Sequence, residues 1–345
     1  MGDTNRHISY FKVENFKRFE TFEMKDLGQF NLIVGDNNVG KTSILEALLV
    51  DVELFKLMNN LVGALNFRRL KRNYKYQDLE LYFNKEKALN NKNKLLSILF
   101  KWTNCSNQDE DFVEMKIDKT TGQFVVSRKV ERPNKADWSL HDELPYDSDY
   151  NLPFIPFYKG HDADLTNFYS RLQQDRIVKG DFIKSLKILI PQLENIELSS
   201  PYPGESPHLI IYQSHLRSSL PLAVFGDGVL KLFRLLAEII VNKGSRLMID
   251  EIDTGIHFSR FRDFWCVILK AANENDVQLF MTTHNEECIR YFKEVLEKDL
   301  PELQSKSRSV TLIENEKKDV IAFTYLFEQF EANIEVGNEI RGGAR

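Results

Sequence analysis

One short segment near the start of the chain constrains the fold more than any other feature. Residues 35–42 have the sequence GDNNVGKT, which fits the pattern G-x-x-x-x-G-K-[ST]. The apolar stretch QFNLIV precedes it, and SILEALL follows it with the character of a helix. Two earlier stretches, ISYFKVENF and FETFEMKD, have the β-branched and aromatic content of strands. The order of strand, loop and helix predicts a phosphate-binding loop at the edge of an α/β sheet.

The residue types of this loop suit a nucleoside triphosphate. Its glycines let successive backbone N–H groups point at phosphate oxygens, and the helix N-terminus adds partial positive charge. Lys41 can reach the β- and γ-phosphates, and the Thr42 hydroxyl can ligate Mg²⁺. We therefore expect ATP and Mg²⁺ as ligands. The expected binding residues are Asn37, Asn38, Val39, Gly40, Lys41, Thr42 and Ser43.

The middle of the chain predicts an antiparallel β-rich lobe inserted after the first helix. Its stretches of strand character are 79–83, 95–102, 111–118 and 123–130, with a Thr-Gly turn between the last two. Residues 131–152 are acidic and polar, with two prolines, which predicts a mobile connection. A strand (153–158), a long helical pattern that can hold more than one helix (about 165–193) and a hairpin (196–214) follow.

The last third alternates strictly between strands and helices, which indicates a mainly parallel sheet. The predicted helices are 228–242, 259–274 and 285–298, and the predicted strands are 246–250, 277–282, 309–315 and 319–325. Residues 246–251 (RLMIDE) end a strand in two carboxylates, at the edge where α/β proteins bind ligands. Asp250 is placed to hold Mg²⁺, and Glu251 to orient or deprotonate the attacking water.

Two further segments fit an ATP site. The strand after RLMIDE ends in Thr283 and His284, where the imidazole can hydrogen-bond the γ-phosphate. Upstream, the segment FGDG (225–228) stands before a helix, and its glycines would let the helix N-terminus approach a phosphate. We therefore assign catalytic roles to Lys41, Glu251 and His284, and add Gly226, Asp227 and Gly228 to the nucleotide-binding residues.

The order of these motifs resembles an ATP-binding-cassette (ABC) ATPase head of the SMC/RecF type, with DTGIH in the D-loop position. The opening residues and the phrase DEIDTGIHFS resemble ATPases of the overcoming-lysogenization-defect (OLD) family and their relatives in bacterial anti-phage systems. This resemblance implies one ABC-type head, with lobe I from about 1–150 plus 240–345 and a helical signature lobe from about 159–240. It also implies a homodimer or higher oligomer that holds ATP between two heads and regulates a separate nuclease or toxin.

Three departures from the resembled pattern matter. The signature is FGDG where the familiar one is LSGGQ. No glutamine is placed for a Q-loop, and the corresponding segment is 156–165. The residues after the last core helix include Glu314 and Glu316 but no Asp-x-Asp pair, so we expect no TOPRIM nuclease domain of the kind that full OLD nucleases carry.

Composition narrows the classes of partner. Hydrophobic residues make up 42% of the chain and charged residues 28%, which is typical of a globular protein. No apolar run is long enough to span a membrane, and three scattered cysteines favour a reducing cytosol. The net charge of −5 argues against a basic nucleic-acid coat. A local basic cluster comprises Arg68, Arg69, Lys71, Arg72 and Lys75. This cluster could contact DNA or RNA, although a solvated helix face or a protein-binding surface is the favoured alternative.

A RecF-like or SMC-like role in DNA repair or chromosome maintenance is the alternative function. An SMC protein needs long coiled-coil arms between the phosphate loop and the signature, and residues 43–220 contain no sustained heptads. The SMC version is therefore disfavoured, whereas the RecF version stays open.

Overall fold

A computed structural model describes residues 7–67, 76–84, 95–106, 108–128, 134–139, 151–157, 164–200 and 207–335. Its centre is a six-stranded sheet in the order β15-β14-β3-β13-β12-β8. The strands are β3 (Phe30–Gly35), β8 (Phe154–Ile155), β12 (Arg246–Ile249), β13 (Gln278–Thr282), β14 (Ser307–Glu314) and β15 (Val320–Leu326). All neighbours pair in parallel except the edge strand β15, so the mainly parallel sheet is confirmed.

Both faces of the central sheet are buried. Leu279 and Met281 of β13 point into one hydrophobic core, and Phe280 between them points into a second core. Met248 of β12 joins Phe280 in that second core. Because a strand covered on both sides favours apolar residues at successive positions, 247–249 of β12 and 279–281 of β13 are continuous hydrophobic runs.

The second sheet is antiparallel and carries the β-rich region in the order β2-β1-β4-β5-β6-β7. Its strands are β1 (Ile8–Phe16), β2 (Phe19–Met24), β4 (Leu95–Asn104), β5 (Glu110–Asp118), β6 (Gln123–Arg128) and β7 (Asn134–Ser139). The predicted hairpin between β5 and β6 is confirmed. The predicted lobe is not separate, because β4 pairs with β1 and extends the N-terminal hairpin into one sheet.

Two predictions in this region are wrong. Residues 79–83 were expected to form a strand, but Tyr76–Tyr82 is a 3-10 helix. Leu79 and Tyr82 are buried at a spacing of three, which suits a 3-10 helix and not the alternation of a strand. Part of the predicted connection 131–152 is strand β7, which pairs along its whole length with β6.

Eight α-helices lie in the described part of the chain: α1 (Lys41–Ala47), α2 (Leu54–Phe67), α3 (Asp164–Leu172), α4 (Arg176–Leu186), α5 (Asp227–Val241), α6 (Phe261–Glu274), α7 (Glu286–Lys298) and α8 (Phe327–Glu335). The pattern at 165–193 resolves into α3 and α4, because the Asp175 side chain caps α4 by accepting from the Ile177 and Val178 N–H groups. The hairpin predicted at 196–214 is confirmed by β9 (Leu193–Ser199) and β10 (His208–Gln213), and β11 (Leu220–Pro221) completes that small sheet. Within these ranges no helix is both long and apolar enough to cross a bilayer.

The register of the parallel strands brings the predicted motifs to one edge. Ile249 of β12 lies beside Met281 of β13, and Thr282 lies beside Ile33 of β3. The carboxyl ends of these three strands therefore coincide. The segments that follow each strand emerge at the same edge of the central sheet, where open α/β sheets bind their ligands.

Candidate nucleotide-binding site

The loop between β3 and α1 is shaped by a glycine that no other residue can replace without strain. Gly40 has a φ of +106°, and an added Cβ would lie 2.8 Å from the Cζ atom of Phe19. Its carbonyl accepts the Ile44 N–H at 3.0 Å and begins helix α1. Val39 is buried in the core and anchors the loop. The backbone therefore curls tightly around the space in front of the helix N-terminus.

Lys41 is held inside this curl. Its Nζ donates hydrogen bonds to the carbonyl oxygens of Gly35 at 2.7 Å and Asp36 at 2.9 Å. Burial lowers the pKa of Lys41, while the nearby carboxylates of Asp250 and Glu251 act in the opposite direction. The ammonium group is thus fixed within the loop, and its role in binding phosphates stays a prediction.

Asp250 connects the phosphate loop to the neighbouring strands. The Thr42 hydroxyl donates to Asp250 Oδ2 at 2.9 Å, and the Thr282 hydroxyl donates to Asp250 Oδ1 at 2.7 Å. Asp250 is 4% exposed, so its carboxylate is set by these contacts. A hydroxyl and a carboxylate this close form an all-oxygen donor pair, which is the chemistry that Mg²⁺ prefers. Thr42 and Asp250 therefore fit the metal roles predicted for them.

Glu251 follows Asp250 in a strained turn. Its φ is +45°, which is uncommon for a residue with a side chain, and its N–H donates to Thr282 Oγ1 at 2.8 Å. Its carboxylate Oε1 lies 3.8 Å from Nδ1 of His284, and both side chains are partly exposed. The strained turn thus presents Glu251 and His284 together to solvent beside the phosphate loop.

A cleft of 560 Å³ lies in front of these groups. It is lined by Lys17, Arg18, Asn37, Asn38, Gly40, Lys41, Thr42, Ser43, Asp250 and Glu251. Lys17 and Arg18 are the residues that sequence reasoning missed, and they occupy the tight turn between β1 and β2. Arg18 donates to the Asn38 carbonyl and pairs with Glu314, and Lys17 pairs with Glu46. Adjacent basic residues between two predicted strands were the available signal.

The FGDG segment lies elsewhere. Among the described residues that line the cleft, none belongs to 225–228. Gly226 and Asp227 are exposed, and an added Cβ at Gly228 would lie 2.8 Å from the carbonyl oxygen of Gly255. This segment therefore packs on the loop that follows Glu251 and faces solvent. The nucleotide-binding role assigned to Gly226, Asp227 and Gly228 stays a prediction.

Two predicted features fall outside the described residues. The basic cluster Arg68, Arg69, Lys71, Arg72 and Lys75 belongs to the stretch 68–75 that the structure does not describe. The same holds for residues 158–163 of the segment expected to replace the Q-loop. Within the described ranges, no group of three or more His, Cys, Asp and Glu side chains is arranged to hold a metal ion.

Two family models match the chain. Residues 7–152 match the model described as "AAA ATPase domain". Residues 123–290 match the model described as "AAA domain, putative AbiEii toxin, Type IV TA system". Together the two models span the phosphate loop, Asp250, Glu251 and His284.

The curated proteins that match the chain are distant relatives of it. An "ATP/GTP phosphatase" of Helicobacter pylori is 26% identical over 95% of this chain and 98% of its own length. An uncharacterized protein of Methanocaldococcus jannaschii is 28% identical over 56% of this chain and 92% of its own length. A DNA replication and repair protein RecF of Xanthomonas oryzae is 43% identical, but over only 12% of the chain.

Solved structures show the fold. An SMC head bound to the C-terminal winged-helix domain of ScpA superposes with a TM-score of 0.55 at 13% identity, covering 94% of this chain and 99% of that chain. An SMC head with an extended coiled coil, bound to the C-terminal domain of ScpA derived from Pyrococcus furiosus, gives 0.54 at 12% identity over 97% and 99%. The chain is therefore an ATPase with the fold of an SMC head, and its residues 7–152 and 123–290 are similar to AAA-type ATPase domains.

Proposed function

We propose that this ATPase works as a nucleotide-dependent homodimer that regulates a separate effector, a nuclease or a toxin, in anti-phage defence. In this proposal the chain is one ABC-type head with lobe I (about 1–150 plus 240–345) and a helical signature lobe (about 159–240). The protein acts in the cytosol, which the free state of Cys105, Cys266 and Cys288 supports.

The position of FGDG is the main observation that supports an ATP site shared between two copies of the chain. The cleft has its phosphate loop, Asp250 and Glu251 in place, whereas the described residues of FGDG lie outside it on an exposed surface. Gly226 and Gly228 stand at the start of helix α5, whose N-terminus favours an anion. A second copy facing the first would bring its FGDG to the open side of the cleft. Each ATP would then contact both copies.

The residues in and beside the cleft have different roles in ATP hydrolysis. The loop N–H groups and Lys41 bind the phosphates, and Glu251 orients or deprotonates the attacking water. His284, beside Glu251, donates a hydrogen bond to the γ-phosphate. Thr42 and Asp250 would hold Mg²⁺, which supplies positive charge to the β- and γ-phosphates when bound.

Two observations support an effector beyond the chain itself. The description of one matching family model includes a toxin of a type IV toxin–antitoxin system. The sequence also resembles OLD-family ATPases of anti-phage systems. ATP held across a dimer favours the closed state, and hydrolysis releases it, which is the behaviour of a timing device. We therefore propose that ATP hydrolysis times the activity of a second polypeptide.

The neighbouring gene gives the test. The chain and the product of the adjacent gene are expressed together, and phage plating is measured for wild type and for Lys41→Ala. Protection that needs both genes and is lost in the variant supports the proposal. The purified chain alone should hydrolyse ATP without cutting DNA or RNA, and metal-dependent cleavage by this chain alone would contradict the regulator role.

The basic cluster is tested separately. Replacing Arg68, Arg69 and Arg72 by Glu should weaken binding of the effector or of nucleic acid and leave ATP binding intact. Unchanged binding of both would remove the cluster from the proposal.

A RecF-like role is the second candidate, and the local identity to RecF favours it. In that case the chain should bind duplex DNA in an ATP-dependent manner and lie beside replication genes. A gel-shift titration with and without ATP separates the two functions, because the defence regulator needs a protein partner for its output and the repair ATPase needs DNA.

A further inference from the structure

Lys231 is a buried cation that the chemistry described above does not use. It lies in the second turn of helix α5, just beyond FGDG, and only 3% of its surface is exposed. Its Nζ atom makes no hydrogen bond to any of the described residues. Burying an ammonium group without a partner costs free energy, so this side chain destabilises the state that the structure shows.

The surroundings of Lys231 point toward the ATP site. The carboxylates of Asp250, Asp253 and Glu251 all attract its charge. Burial nonetheless lowers the pKa of Lys231 to about 8, and Arg234 in the next turn of α5 acts in the same direction. Arg234 itself pairs with Glu238 at 2.9 Å on the same helix. The ammonium group thus lies among the acidic residues that follow strand β12, without a direct partner among them.

The hydrogen bonds that these carboxylates already accept indicate which of them can pair with Lys231. Both oxygens of Asp250 already accept hydroxyl hydrogen bonds, from Thr42 and Thr282. Asp253 accepts one at Oδ1, from the Thr283 hydroxyl at 2.7 Å, and Oδ2 accepts none from the described residues. Glu251 Oε2 accepts the Thr254 hydroxyl at 3.4 Å, and its Oε1 faces Nδ1 of His284 at 3.8 Å. Asp253 Oδ2 is therefore the acceptor that remains for Lys231.

The backbone around Asp253 is in contact with the start of α5. Gly228 leaves no room for a Cβ against the carbonyl oxygen of Gly255. The Thr254 N–H donates to the Glu251 carbonyl, and the Ile256 N–H donates to the Asp253 carbonyl, each at 3.0 Å. The segment 251–256 is thus a compact turn that carries Glu251 at one end and packs on α5 at the other. A movement of α5 and this turn relative to each other would reposition Glu251.

We infer that Lys231 is a positioning residue for ATP hydrolysis: its ammonium group pairs with Asp253 Oδ2 when the site closes on ATP, and this pair fixes the turn that carries Glu251. The inference rests on the ATPase activity and does not depend on the proposed effector. The pair forms only in the closed state, so its energy is realised in the hydrolytic complex and is absent from the free protein.

Lys231→Met tests this directly, because Met has a similar length and no charge. The free protein should melt at a temperature raised by at least ~2 °C, since an unpaired buried charge is removed. Turnover should fall ~10-fold while KM for ATP stays within about twofold of wild type. Lys293→Met is the matched control: this lysine pairs with Glu297 and Glu331 on the surface, and its loss should leave turnover unchanged.

Asp253→Asn completes a double-mutant cycle. Asn keeps an acceptor for Thr283 but removes the charge that Lys231 is expected to pair with. The double variant Lys231→Met/Asp253→Asn should turn over no more slowly than the slower single variant, because both changes remove the same pair. Multiplicative losses would overturn the inference, as would a lowered melting temperature in Lys231→Met together with unchanged turnover per folded molecule. A failure of the protein to dimerise with ATP would count against the proposed function. The comparison of turnover among the Lys231 and Asp253 variants would still test the inference.

Discussion

The hydroxyl of Thr282 donates a hydrogen bond to Asp250 Oδ1 at 2.7 Å across two neighbouring parallel strands. The hydroxyl oxygen of Thr282 also accepts the Glu251 N–H at 2.8 Å. Thr282 is fully buried, so no water replaces either contact. One hydroxyl group therefore holds both the carboxylate expected to bind Mg²⁺ and the strained backbone of the residue expected to activate water.

Replacing Thr282 by Val should damage both functions with little change in shape. The variant loses two buried hydrogen bonds, one of them to a carboxylate, and should lose about 1–3 kcal/mol of unfolding free energy. Turnover should fall ~10-fold or more because Asp250 and Glu251 are no longer held. Urea unfolding and a steady-state ATPase assay measure the two effects. Thr282→Ser keeps the hydroxyl and should remain close to wild type; equal losses in both variants would show that packing and not hydrogen bonding matters.

Lys41→Ala should abolish or strongly weaken ATP binding. The loss of a charge-assisted contact to the phosphates is worth ~1.5–3 kcal/mol, or roughly 10- to 150-fold in affinity. Calorimetric titration of ATP checks this. Lys56→Ala removes a partly exposed lysine paired with Glu53 and should bind ATP normally. Unchanged affinity in Lys41→Ala would rule out its role.

Glu251→Gln should separate binding from hydrolysis. Gln keeps the size of the side chain but cannot accept a proton, so turnover should fall at least ~100-fold while ATP still binds. Single-turnover hydrolysis and nucleotide titration on the same protein give both values. Glu302→Gln, an exposed substitution, should leave turnover unchanged. Near-normal turnover in Glu251→Gln would move the general base to another residue.

The stability of the nucleotide-free protein should depend on pH through Lys231. Its pKa is about 8 in the folded state and near 10.5 when unperturbed, so between these values the unfolded chain binds more protons. Wild type should therefore be less stable than Lys231→Met below pH 8, by up to about 3 kcal/mol, and the difference should shrink as the pH rises toward 10. Urea unfolding of both proteins in EDTA measures it. A pH-independent difference would contradict the lowered pKa.

The phosphate loop and the acidic strand end could be predicted because their chemistry is local. The residues 35–42 and 246–251 each combine an apolar strand with polar residues directly after it, and the parallel register then brings the two ends together. In the structure the Thr42 hydroxyl donates to Asp250 Oδ2, so the two ends are in direct contact.

Lys17, Arg18 and Thr282 were missed because their relation to the site is tertiary. The turn between β1 and β2 reaches the phosphate loop only when the antiparallel sheet packs on the central one. Phe19, the first residue of β2, lies against Gly40. In the sequence Thr282 is indistinguishable from any other threonine in a strand. Its importance depends on which neighbouring residue accepts its hydrogen bond, and only the folded structure shows that neighbour. The polar strand β7 was missed for a related reason, because pairing with β6 and not hydrophobic alternation specifies it.

In the proposed function, ATP is hydrolysed in a site completed by the FGDG segment of a second copy. Two inactive variants test it when mixed: Lys41→Ala lacks the phosphate contact, and Gly228→Asp places a negative charge at the start of α5. Gly228→Ala is the matched control, since it adds the same Cβ against Gly255 without the charge. Each variant must first show a melting curve close to wild type.

The decisive measurement is the ATPase rate of the Lys41→Ala and Gly228→Asp proteins, alone and mixed in equal amounts. A mixed dimer contains one site with an intact phosphate loop facing an intact FGDG. Mixing should restore a substantial part of the wild-type rate, up to roughly a quarter if dimers form at random and sites act independently. A mixture no more active than its components, together with full activity in a proven monomer of the wild type, would contradict it.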